Sequence, residues 1–405
     1  MNRLSAPTLK NEDAPRTGSR KAGPRADLAS IPMNSDDVVP STKALDDEAL
    51  RADVLKLAEH IRQIGADKRP VGPVVRSWLL GLGLALGGLC AFYRADIPLV
   101  ARVIAIVLST LGSVAMATIG HTASHGALST NRLANKVIFF FTYPFFLMVS
   151  ARYWHYSHVR VHHGAPNVVG VDDDCDLRPV FGLNEEHARE IPARVRAVQG
   201  WLLLVLLPVN GFNIQRQGWR RLLSELGDRR RRTASTYVDL AAMLLHVAVF
   251  LVLPAAINSP ATALAVYALR VALIGIVLFA ILAPGHYPAE AACIHQSQHR
   301  RGHFWLRQTA TTVNFRTGPI GRWLCSGLEY QIEHHLLPSI SHVHLPALTP
   351  KVREICHRHG LPHRTLGWGE AILASWRVFF LPKVVIDDLR LLRIRERTSH
   401  DRTPD

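Results

Sequence analysis

Cysteine is scarce and scattered in this 405-residue chain. Cys90, Cys175, Cys293, Cys325 and Cys356 stand far apart, and no two form a Cys-x-x-Cys pair. That excludes a disulfide framework and a zinc-thiolate site, and it fits a reducing compartment. The first residues lack the apolar core of a signal peptide, and no internal repeat is present. Acidic residues are outnumbered, 32 against 47 lysines and arginines, for a formal net charge of +15. Basic and aromatic residues are not interleaved as in RNA-binding segments, so nucleic acid is set aside as a partner. Histidine is almost missing from the first 120 residues, where His60 stands alone; the other 20 follow, pointing to metal or proton chemistry.

What is present is apolar sequence in long runs. Four segments approach the roughly 20 residues needed to cross a bilayer: about Ser77–Phe92, extended by Val71–Val75, then Leu99–Gly120, Tyr237–Ile257 and Thr262–Ala283. Arg270 interrupts the fourth and either snorkels or faces the bundle. Arg94–Pro98 and Asn258–Ala261 are too short to hold a domain, so the spans form two hairpins and every long polar stretch lies on one side. Arg229 to Arg232, Arg220, Arg221, Lys68, Arg69 and Arg76 flank the spans on that side and mark it as cytoplasmic. The predicted fold is an all-α integral membrane protein with four transmembrane helices in two hairpins and a cytoplasmic His-rich domain. Val137–Val149 and Trp201–Val209 are too short to span and read as interfacial or re-entrant pieces.

The rest of the organisation follows. Residues 1–45, rich in Pro, Ser and charge, read as a disordered tail. Residues 46–70 hold an amphipathic helix with Leu50, Val54, Leu57 and Ile61 on one face. Residues 71–285 form the membrane domain, with a cytoplasmic insert over 121–236. Residues 286–365 form a second cytoplasmic segment, and 366–405 a C-terminal helix and tail. The Arg- and Ala-rich composition points to a bacterial source and so to a bacterial inner membrane.

Histidines gather in three places at the predicted cytoplasmic ends. His121 and His125 are spaced i, i+4 at the end of the second span, so both rings can project from one helical face. His158 and His162 repeat that spacing, with His163 beside them. Gln331, His334 and His335 can share one face in GLEYQIEHHLLP, and His286 follows the fourth span directly. Eight imidazoles exceed the four ligands of a zinc site and suit two first-row metals with open positions, for which imidazole is a good iron ligand. His155 lies off the spacing and is read as a non-ligand. His295, His299 and His303 recur at i, i+4, i+8 but among Gln298, Arg300 and Arg301, and are read as a solvated face. His342, His344, His357, His359 and His363 read as surface histidines, and His246 as hydrogen-bonded inside the bundle. Asp172 to Asp176 is either a solvated turn or a source of carboxylates behind the ligands.

The segments HTASH, HVRVHH and QIEHH, in this order, resemble the three histidine boxes of the membrane-bound fatty acid desaturases. The Gln of the third box is similar to the front-end and acyl-lipid branch. The resemblance covers about residues 75–365. It includes Pro166-Asn167, the Asp172 to Asp176 run, Thr311-Thr312-Val313-Asn314 and the Leu336-Leu337-Pro338 that follows the third box. It implies a non-haem centre of two iron ions that activates O2 and takes hydrogen from an acyl chain. Carried over, the ligands are His121, His125, His158, His162, His163, His286, His334 and His335, with Gln331, Asn314 and Asp174 behind them. Two departures stand out. Thr122 occupies a place where the family often has Asp, and the His-Pro-Gly-Gly motif of a fused cytochrome b5 domain is not found. Electrons are then expected from a separate ferredoxin or cytochrome b5-like protein, drawn to the basic face.

Three functions remain in view: an acyl desaturase acting on a lipid-, CoA- or carrier-bound chain, a di-iron hydroxylase or ketolase with a lipidic substrate, and a His-rich metal transporter. A transporter needs ionisable ligands inside its spans, and these spans are nearly bare.

Overall fold

The computed structural model describes residues 38–40, 46–301 and 303–396, with side chains described for 46–298 and 303–393. The expected tail over residues 1–45 falls almost wholly outside that range, as does the His299 side chain. The described chain is mostly helical, and four of its helices are long and apolar enough to cross a membrane: Val71–Phe92, Leu99–Ser124, Ala234–Ile257 and Pro260–Gly285. These are called spans one to four below. Alongside the expected all-helical fold, three short two-stranded pairings occur: Val38–Pro40 antiparallel to Ile394–Glu396, Cys293–Ile294 parallel to Val385–Ile386, and Asn314–Arg316 parallel to Thr365–Gly367.

Helix Asp47–Gln63 begins where the Asp46 side chain accepts from Ala49 N at 2.9 Å, with acids in its first turn and His60 and Arg62 in its last, as the helix dipole favours. It buries Leu50, Leu57 and Ile61, together with Asp53, which accepts from the Arg358 guanidinium and His359 Nε2 of the distant helix Leu345–Arg358 and its cap.

Spans one and two pack backbone to backbone. A methyl on Gly112 would stand 2.5 Å from Ala85 N and 2.6 Å from Gly81 O, and one on Gly88 2.5 Å from Ala105 O. Only small residues allow that approach, and it lets Ser109 Oγ donate to Ala85 O at 2.6 Å. Span four is crossed by helix Gln199–Gly227 at a second such place, where Gly275 faces Gly211. The short apolar stretch Trp201–Val209 is therefore the start of a 29-residue helix.

Between the first two histidine boxes lies a broken element. Helix Arg132–Thr142 continues as one wide turn, Tyr143–Leu147, and stops at Met148, which is left-handed at φ 55°. The chain reverses by 112° and sets out again at Ala151. The irregular backbone is enclosed by protein, for Tyr143 to Leu147 are all buried. Arg270 does not snorkel. It is fully buried, donates to Ser113 Oγ at 2.6 Å and Phe146 O at 3.2 Å, and lies over the Phe250 ring at 4.0 Å. His246 is also buried, with ring nitrogens at Phe145 O and the Tyr267 hydroxyl.

Candidate metal centre

Span two ends on the first box. His121 lies in its last turn and His125 is the capping residue, with ring centres 4.9 Å apart. Gly120 has no side chain because Thr142 of the broken element occupies that space. The second box follows the reversal. The chain from His155 to His162 is wound wider than an α-helix, and the i, i+4 pair His158 and His162 stacks at 5.0 Å and 19°. The third box is the short buried helix Gln331–Leu336. His286 comes directly after span four.

These eight histidines converge into two groups whose potential ligand atoms lie within 4.8 Å of one another: His121, His125, His158, His163 and His334 in one, and His162, His286 and His335 in the other. His158 and His162 also group with Asp174. Three pairs of Nε2 atoms meet nearly head-on: His121 with His158 at 2.9 Å, His162 with His286 at 3.2 Å and His163 with His334 at 3.1 Å. Buried ring nitrogens of His125, His163, His286 and His335 have no hydrogen-bond partner. Leaving a buried polar atom unmatched costs about 1–3 kcal/mol. An imidazole donor set with opposed and unmatched lone pairs is what bound first-row metals would satisfy.

Groups behind the rings fix which nitrogen faces inward. Both Asp172 oxygens lie 3.0–3.1 Å from His162 Nδ1, and Gln308 Oε1 lies 3.0 Å from His335 Nδ1. Asp174 Oδ2 lies 3.5 Å from His158 Nδ1. In each case Nδ1–H donates outward and Nε2 is left to coordinate. Burial and the neighbouring histidines hold His163, His334 and His335 well below the ordinary imidazole range, which keeps the ligating neutral form.

Of the residues expected behind the ligands, Gln331 packs its carboxamide against Gly285, next to His286, with Oε1 buried and unpartnered. Asn314 holds the third-box helix, accepting from Ile332 N at 2.9 Å and donating to Glu333 Oε2 at 2.7 Å. Thr122, where the family often has Asp, bonds His342 Nδ1 at 3.1 Å.

His359 and His363 are corrections to the surface reading. His359 pairs with Asp53 at 3.0 Å, and His363 Nε2 donates to the fully buried Glu333 at 2.8 Å. Their partners come from other parts of the chain, so neighbouring sequence gave no hint of burial. His155 joins neither group, His295 is exposed and His303 lies 3.5 Å from Asp47. Gln308 carried no signal in the sequence. Neither did Lys383, whose buried ammonium donates to His286 O and Ala291 O, both at 2.9 Å.

A small apolar cavity of about 30 Å³ adjoins the centre. His121 is part of its wall, with Thr118, Tyr143, Leu147, Trp154, Leu278, Ile281 and Leu328 among the others. A smaller space, also lined by His121, is bounded by Thr122, Ser326, Gly327, His334 and His342.

A buried cluster of imidazoles that could hold metal ions lies beside an apolar cavity, on a frame of helices long and apolar enough to cross a membrane. Comparison with known proteins agrees. The family model for fatty acid desaturases matches residues 97–367. The chain is 25% identical over 339 residues to Delta(8)-fatty-acid desaturase 2 of Arabidopsis thaliana, covering 79% of this chain and 72% of that one. It is 28% identical over 262 residues to Delta(5) fatty acid desaturase fat-4 of Caenorhabditis elegans, covering 60% and 55%. It is 26% identical over 268 residues to the sn-1 linoleoyl-lipid 6-desaturase of Synechocystis, covering 64% and 73%. The chain belongs to the fatty acid desaturase family and is an enzyme of that class, a multi-pass membrane oxidoreductase.

Proposed function

We propose that the chain is an oxygen-dependent di-iron acyl desaturase that forms a carbon–carbon double bond in a lipid-, CoA- or carrier-bound fatty acyl chain. The observation that carries this is the pair of neighbouring histidine groups, one of which shares His121 with the wall of an apolar cavity. The relatives' names, all fatty acid desaturases, support the substrate class.

His121, His125, His158, His162, His163, His286, His334 and His335 hold two iron ions in this reading. Bound there, the irons would supply the oxidising chemistry, in which O2, two hydrogens from adjacent methylenes, two electrons from a donor protein and two protons from solvent give the double bond and two waters. The chain's own residues do the rest. Asp172, Asp174 and Gln308 orient rings through Nδ1, Gln331 and Asn314 fix the third box, and the cavity side chains align the methylenes and exclude water.

The spans pair as two hairpins with both termini and the histidine domain on the cytoplasmic side, in a bacterial inner membrane. The domain limits are those read from the sequence. Exposed Arg229, Arg230, Arg231 and Arg232 support an acidic electron donor, a ferredoxin or cytochrome b5-like protein, docking on that side.

The test is the fatty acid profile of a host expressing the chain with a ferredoxin system, beside a His334→Ala, His335→Ala variant. A new unsaturated acid made only by the intact chain is expected. A new hydroxy acid instead would make it a hydroxylase, and no new product with the donor supplied would contradict the proposal.

A further inference from the structure

The broken element between the first two boxes has two buried helix ends at its reversal, and each is met by an oppositely charged or polar group from another helix. Where the first arm stops, the carbonyls of Phe145, Phe146 and Leu147 have no following helical amide to accept. His246 Nδ1 donates to the first at 2.6 Å, Arg270 Nη2 to the second at 3.2 Å, and Gln215 Nε2 to the third at 3.0 Å. Where the second arm starts, the buried Asp239 accepts from Ser150 Oγ at 2.5 Å, Ala151 N at 2.9 Å and Arg152 N at 3.3 Å. A cation at a helix C-terminus and a carboxylate at an N-terminus both oppose the local dipole. This accounts for two buried charges that do not pair with each other. A buried carbonyl left without a donor is costly, so the caps fix the reversal in one place.

That place matters because the reversal is also a wall of the apolar cavity. Tyr143, Leu147, Val149 and Trp154 all line it, on a different element from His121. The distance from the metal ligands to that wall is therefore set by whatever holds Phe146 and Leu147. Resting on the desaturase reading above, we propose that Arg270 and Gln215 are positioning residues for regiochemistry: by capping the Phe146 and Leu147 carbonyls they hold the cavity wall that decides which methylenes of the acyl chain stand at the irons.

The test expresses the full chain and its Arg270→Met, Arg270→Lys, Gln215→Leu and Leu147→Ala variants with the same electron donor. It reads iron content and the ratio of the main double-bond position to its neighbours. Arg270→Met and Gln215→Leu are expected to keep their iron while that ratio falls about tenfold, since a wall displaced by about 1 Å alters alignment strongly. Arg270→Lys, which retains the cation, is expected to restore much of it. Leu147→Ala leaves the caps intact but changes the wall, and is expected to shift the ratio even if Arg270→Met does not accumulate. Lower yield at an unchanged ratio in Gln215→Leu and Leu147→Ala would overturn the proposal, because a purely structural role predicts that pattern. If the parent chain itself makes no unsaturated product, it is the desaturase reading that has failed, and this one with it.

Discussion

His162 ties a candidate ligand pair to the carboxylate behind it: its Nδ1 donates to Asp172 at 3.0 Å, and its Nε2 faces His286 Nε2 at 3.2 Å. Asp172 also accepts from the backbone amides of Asn167 and Asp174. One buried carboxylate thus fixes both the ring and the turn that follows the second box. Replacing Asp172 by Ala frees the ring to rotate. Iron affinity is expected to fall about 10–100-fold, measured as retention against a graded chelator. Unchanged affinity would mean that packing alone holds the imidazole.

Glu333 and His363 form a second such pair beneath the third box. Glu333 is fully buried and accepts from both His363 and Asn314. His363→Ala strands a buried carboxylate. The expected loss is about 3 kcal/mol of stability, read as a lower unfolding midpoint in detergent. Adding Glu333→Gln removes the stranded charge and is expected to recover part of that loss. No recovery would argue against a charge-pair role.

Glu329 gives a pH signature. Burial pushes its carboxyl up to about 7, against an ordinary 4.5. One of its oxygens accepts from Gly327 N at 3.0 Å and the other has no partner. The folded protein then holds this proton more tightly than the unfolded chain does. Its contribution is full below about pH 4.5 and is lost as pH rises towards 7, on the order of 3 kcal/mol in all. The wild type is expected to lose stability relative to Glu329→Gln between pH 5 and 7. Parallel curves for the two proteins would refute this assignment.

Removing metal should destabilise the fold as well as stop turnover. Stripped of ions, the opposed nitrogens of His121 with His158 and of His163 with His334 have no shared partner. Binding at a hundred times Kd stabilises by about 2.7 kcal/mol per site. Chelation is therefore expected to lower the unfolding midpoint, and ferrous iron to restore it. An unmoved midpoint would place the ions elsewhere.

The spans and the boxes were legible in the sequence because both signals are local: a run of apolar residues, or histidines four apart. Arg270 was visible as an oddity but not as a cap, because its partner Phe146 lies 124 residues away. The surface expectation fails at His359 because nothing near it in the sequence announces Asp53, 306 residues earlier. It fails at His363 for the same reason, its partner Glu333 lying in a box whose other residues carry the signal. The Asp172 to Asp176 run suggested a carboxylate behind the ligands, yet Asp172 is the nearer one to His162 and Asp174 the more distant. Which carboxylate points inward depends on the turn, and a run of like residues does not encode that.

The central claim is a two-iron centre built by eight histidines. The most direct measurement is metal content and Mössbauer spectroscopy of the purified chain from cells grown on iron-57. Two irons per chain in nitrogen-rich environments are expected, with His162→Ala and His334→Ala each losing iron. A single metal per chain, or zinc at full occupancy with no gain of iron when iron is supplied, would contradict it.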